Sequence, residues 1–248
     1  MTSVRSRNAH RPIAMALSVL LAAGITSTAS TAWGADDSGR DAERVTSSSP
    51  GAEDTRALGR GVSTPIKHAD AALTRATNEL RKHHPARAIA ALKDAKRHVG
   101  RAHTVATNLI GAPPTDPESD EPPGPRAVLA VLGLDHRVEM RVVPLFDGRS
   151  RTDVVDSLRG VLSSTNHRRK VLVNRIVALP PEGAGADYAD GMGDTLGQYK
   201  KEIQVLSTAL NTYQLTSGGR TGLKNALTQV RATKDKVAAA FGVERASD

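Results

Sequence analysis

Apolar residues recur at alternating intervals of three and four along most of this chain, and no other feature constrains its fold as much. Ala189, Met192, Leu196, Tyr199, Ile203, Leu206, Leu210 and Tyr213 keep the pattern without a break. At 3.6 residues per turn these side chains share one face of an α-helix. The same spacing runs through Ile66, Ala69, Leu73, Ala76 and Leu80, and again through Ala88, Leu92, Ala95, Val99, Ala102, Ala106 and Leu109. No stretch shows the period-two alternation of a strand. The pattern predicts an all-α protein: an N-terminal antiparallel helical hairpin plus a four-helix bundle-like C-terminal domain.

Helix punctuation divides the chain further. Thr64-Pro65 reads as a capping hydroxyl followed by proline in the first helical position. His83-His84-Pro85 breaks the first run, and Gly111 caps the second before Pro113-Pro114. Residues 63–111 are therefore a basic, alanine-rich helical hairpin. Its seam buries little area, and at roughly 25 cal/mol per Å² it is too weak to fold alone. The hairpin is expected to dock on the rest of the chain or to self-associate. Residues 112–125 (APPTDPESDEPPGP) hold six prolines and four acids and read as a stiff linker.

Residues 126–242 read as the helical bundle domain. Its first helix ends or bends at Pro144, and its second is capped by Ser150 or Thr152 and runs to about Ala178. The third carries the unbroken stripe and ends at Thr216–Gly219. The last is lined by Leu223, Leu227, Val230, Val237 and Phe241. Residues 243–248 read as a disordered tail.

The N-terminal 34 residues set the expected location. Arg5, Arg7 and Arg11 precede a 13-residue uncharged run, Ile13–Ile25, then small polar residues ending Ala32-Trp33-Gly34. That is the layout of a secretory signal peptide, too short in its apolar part to span a bilayer. Cleavage is expected near Gly34-Ala35, leaving 35–62 as a disordered leader. The alanine- and arginine-rich bias behind such a signal resembles that of exported proteins of high-GC Gram-positive bacteria, and no motif ties this resemblance to an activity.

Composition narrows the chemistry. With no cysteine, disulfides, thiolate metal sites and thiol nucleophiles are excluded. Aromatic residues are 2% of the chain, so stacking platforms for sugars or single strands are hard to build. No nucleophile elbow, phosphate-binding glycine loop or dinucleotide fingerprint is present. No catalytic, cofactor or metal residue is assigned. Glu79/His83 and Asp94/His98 sit at i, i+4, but at different heights of the hairpin, with no metal-ligand spacing. They read as solvated faces with local pairing, and a pH-sensitive surface of histidines among arginines ranks ahead of a metal site. Asp187, Asp190 and Asp194 lack the spacing of a calcium loop. Gly193 and Gly197 read as a point of close helix contact.

Two function classes follow. The first is a secreted non-catalytic interaction or structural protein of the bacterial envelope or exterior, binding an unknown protein partner or itself through helix faces. The second is an electrostatic binder of anionic cell-wall polymers or lipid head groups. Its candidate residues are Arg81, Lys82, Lys96, Arg97, Arg101, Arg168, Arg169 and Lys170. A hydrolase or metalloprotein ranks behind both. Nucleic acid is not an expected partner outside the cell.

Overall fold

The computed structural model of the protein describes residues 59–112, 123–178 and 186–241. The signal peptide and its cleavage point, the leader up to residue 58, most of the linker, and the tail lie outside these residues. The described helices belong to one packed unit.

Six α-helices follow one another, and the described residues contain no strand. They are α1 (Gly59–Arg81), α2 (Pro85–Leu109), α3 (Pro123–Val142), α4 (Thr152–Ile176), α5 (Ala186–Thr212) and α6 (Ser217–Ala240), with a 3₁₀ turn, Val143–Phe146, after α3. Pro144 lies in that turn, where it ends the α-helix by removing an N–H donor.

Two starts differ from expectation. The α1 helix begins at Gly59, so 59–62 are helical and not leader, and Pro65 sits inside the helix. Val62 is fully buried and Gly61 faces Val105 of α2. That packing outweighs the one hydrogen bond that Pro65 cannot donate. The α4 helix has Arg151 at its N-cap without a side-chain cap. Asp153 in its first turn accepts the Val154 N–H at 2.9 Å instead of Ser150 or Thr152 capping it.

The α1–α2 turn is built without glycine. His84 N–H donates to Glu79 O at 2.9 Å and His83 N–H to Leu80 O at 3.2 Å. This is the paired-bond helix ending that demands a left-handed residue, and His83 fills it at φ 58°. Pro85 then starts α2.

The α1–α2 pair is antiparallel and closely packed, with Ala69, Ala72, Ala76, Ala88, Ala95, Ala102 and Ala106 buried between and beneath the helices. The pair docks on the rest of the molecule. α3 is the hub, touching α1, α2, α4 and α5, while α2 also lies along α4 and α6 closes against α4 and α5. Asp70 of α1 takes Arg137 at 3.2 Å and Arg141 at 3.5 Å from α3. Gly124, in the first turn of α3, lies so close to the end of α2 that a Cβ there would sit 2.6 Å from the Leu109 carbonyl oxygen. The flanks of the proline-rich segment are therefore held together.

Candidate functional site

Being the hub, α3 is buried over a wide arc, and that arc includes acids. Asp135 and Glu139, one turn apart, are 0% and 1% exposed. Facing them are Asn166 and Arg169 of α4, Tyr199 and Glu202 of α5, and His103 of α2, all buried. Arg169 is the centre. Its Nη1 donates to Glu202 Oε2 at 2.7 Å and lies 3.7 Å from Glu139 Oε1, while its Nε is 3.6 Å from Asp135 Oδ2. Its guanidinium sits 5.2 Å from the Tyr199 ring centroid. Asn166 Nδ2 donates to Glu139 Oε1 at 2.6 Å. His103 Nε2 donates to Asp135 Oδ1, and His136 Nδ1 to Glu202 Oε1, both at 2.9 Å.

Three carboxyl groups share one guanidinium, and position separates Glu202 from Glu139. Burial would raise the Glu202 carboxyl, but Arg169 and His136 outweigh it and hold its value below the usual range. Burial pushes Glu139 up to about 8, against the more distant Arg169, with the Glu202 charge adding to the rise. Burial alone would lower Arg169, and the three acids reverse this to a net increase. The cluster thus favours the ionised form of Glu202, in contact with Arg169, and the protonated form of Glu139, where burial outweighs the more distant cation. Its three acids and Arg169 are sealed from solvent, and together they join α3, α4 and α5, with His103 tying in α2. Among the described residues, no three His, Asp or Glu side chains converge as a metal would need.

The accessible site lies on the other side of α2. A groove of about 770 Å³ between α1, α2 and α4 is lined by Thr64, Pro65, His68, Arg97, His98, Arg101, Thr104, Val105 and Arg168, with Gly61 and Gly100 in its walls. A second groove of about 390 Å³, lined by His103, Thr104, Thr107, Asn108, Ser164, His167, Arg168 and Val171, shares Thr104 and Arg168 with it. Together they form a trough along α2 with no acid in either lining. Arg97 is partly engaged by Asp94 at 2.9 Å. Gly100 gives the Arg168 guanidinium its place: a Cβ would sit 3.1 Å from Cζ and Nη2. His68 and His98 meet edge to face with ring centroids 5.0 Å apart.

The eight basic residues read from the sequence therefore separate. Arg97, Arg101 and Arg168 come together in the trough. Arg81 and Lys82 are exposed at the opposite end of the hairpin, about 20 Å along α1 from His68. Lys96 and Lys170 are exposed but outside the lining. Arg169 leaves the surface set altogether, since it is 0% exposed and bound to Glu202. Successive helical residues point about 100° apart, so Arg168-Arg169-Lys170 cannot form one patch.

The histidine–acid pairs also rearrange. Glu79 pairs with His84, and Asp94 with Arg75 and Arg97. Asp190 and Asp194 are exposed on α5, and the Asp187 side chain lies outside the described residues. Gly193 and Gly197 face open space, so the close contact is made by Gly191, where a Cβ would collide with the Leu129 side chain.

The buried cluster had only a faint signal in the sequence. Asn166–Lys170 interrupts an apolar stripe, but Asp135 and Glu139 only flank the unbroken stripe Val131, Leu134, Val138 and Val142, and spacing alone does not link the two segments. No family model, no curated protein and no solved structure matches this chain.

Proposed function

We propose that this is an exported, non-catalytic helical protein of the bacterial envelope or exterior, and that its trough holds a linear anionic polymer. The hairpin supplies most of the binding surface, α4 adds Arg168, and the remaining helices are their support. One observation carries this reading: Arg97, Arg101 and Arg168 converge with His68 and His98 on a recess whose lining contains no acid. Among the described residues Arg101 and Arg168 have no acidic partner, so their charge is available to a ligand. A recess between helices suits a chain lying along it better than a flat membrane, which would meet the exposed turn at Arg81 and Lys82 first.

A protein partner bound through helix faces has less support. Among the described residues Val171 is the one large apolar side chain exposed, at 40%. An apolar interface has little to work with there.

The test is binding of a soluble long-chain polyphosphate at low and high salt. A polymer contacted at three charges should lose affinity with a log–log slope of about −2, close to a hundredfold between 50 and 500 mM salt. The variant Arg101→Gln/Arg168→Gln should lose most of the binding while Arg81→Gln/Lys82→Gln keeps it. Salt-insensitive binding, or equal loss in the two variants, would overturn the reading. So would binding to anionic phospholipid vesicles that survives Arg101→Gln/Arg168→Gln.

A further inference from the structure

The trough places two imidazoles among its arginines, an arrangement that neutral-pH charge pairing does not require. Resting on the binding reading above, we infer that the ligand is a phosphate-bearing chain and that its capture is coupled to uptake of one proton by the His68–His98 pair.

The donor set points to phosphate. Arg97, Arg101 and Arg168 offer forked N–H groups, and the imidazoles add ring N–H donors. An in-chain phosphate has two free and two bridging oxygens at tetrahedral corners and can be met by donors from different directions, where a carboxylate is met in a single plane.

The proton coupling comes from proximity. With ring centroids 5.0 Å apart, His68 and His98 cannot both be charged cheaply in the free protein. The charged groups facing the pair are Asp94, Arg97 and Arg101 on α2 and Arg168 on α4, and Asp94 is already held by Arg97 and Arg75. Burial lowers the His98 value first, and His68, Arg97 and Arg101 lower it further. The His98 Nδ1 is buried without a hydrogen-bond partner, and His68 is the more exposed of the two rings. An arriving phosphate supplies the negative charge that the free groove lacks, which raises the pair's proton affinity and, by linkage, makes binding stronger in acid.

The experiment is calorimetric titration of the full chain with long-chain polyphosphate, whose internal phosphates stay ionised throughout, at pH 7.5 and pH 5.5 in buffers of different ionisation enthalpy. Affinity should rise about tenfold at the lower pH, with close to one proton taken up per site. His68→Gln/His98→Gln should bind more weakly at pH 7.5 than the parent chain, through loss of two ring donors, and should show the same affinity at pH 5.5 as at pH 7.5. Binding that does not change with pH would overturn the proton coupling and leave the groove intact. A pH dependence that persists in the double variant would also overturn it. No binding at either pH would sink both the coupling and the binding reading.

Discussion

Replacing Arg169 with methionine removes the guanidinium that three buried carboxyl groups share. Glu202 loses a 2.7 Å charge-assisted bond and Asp135 a cation at 3.6 Å, in a site where both acids are 1% exposed or less. Methionine fills much of the volume, so the loss is mainly electrostatic. Breaking a buried ion pair from one side costs about 3–5 kcal/mol. That is a large part of the roughly 5–15 kcal/mol that keeps a domain folded. In urea, with a slope of roughly 2–3 kcal/mol per molar, the midpoint should fall by about 1–2 M. Far-ultraviolet circular dichroism reads it directly, since the described structure is helical. The sign with pH is fixed. Without the cation the buried acids bind protons more tightly than in the unfolded chain, so the deficit is larger at pH 8 than at pH 5. The double variant Arg169→Met/Glu202→Gln should regain part of the loss. A deficit below about 1 kcal/mol, or a double variant no better than the single one, would refute the assignment of Arg169 as counter-ion.

Glu139 makes stability fall as pH rises. Its folded value of about 8 lies above its ordinary value of 4.5, so between them the native chain keeps a proton the unfolded chain has released. The slope is at most about 1.4 kcal/mol per pH unit. Glu139→Gln should flatten it, and parallel urea–pH curves for the two chains would contradict this. Gly124→Ala should cost about 1–3 kcal/mol, because its Cβ meets the fixed Leu109 carbonyl. Gly193→Ala, with open space around it, should gain about 0.5–1 kcal/mol. Thermal melting ranks the two, and a reversed order would refute both. His83→Gly should raise stability by about 1 kcal/mol by relieving the left-handed residue at the end of α1, and an unchanged melt would count against that strain.

Helix positions were legible because burial of one face leaves a direct mark in spacing. Leu73, Leu92, Met192 and Leu206, read as inward, are all 0–1% exposed. The turn at His83-His84-Pro85 was legible as a break, but its left-handed histidine was not, since glycine is the usual sign of that ending. Helix α3 buries a wider arc than its apolar stripe marks. A hub helix buries most of its circumference, so Asp135 and Glu139 lie inside where a one-sided stripe would leave them in water. Arg169 was read as surface for the same reason: a run of basic residues says nothing about which one points inward until its partners on α3 and α5 are placed. In the trough, Arg97 and Arg101 were legible as one turn of a basic helix face. Their convergence with Arg168, some 67 residues on, depends on how α2 lies along α4.

Amide chemical-shift changes on titrating the full chain with polyphosphate locate the ligand and so test the account most directly. Changes concentrated at Gly61–His68, Arg97–Val105 and Ser164–Val171, with Arg81 and Lys82 unmoved, are the expected result. Changes centred on the α1–α2 turn, or spread evenly over every exposed lysine and arginine, would contradict a binding trough between α1, α2 and α4.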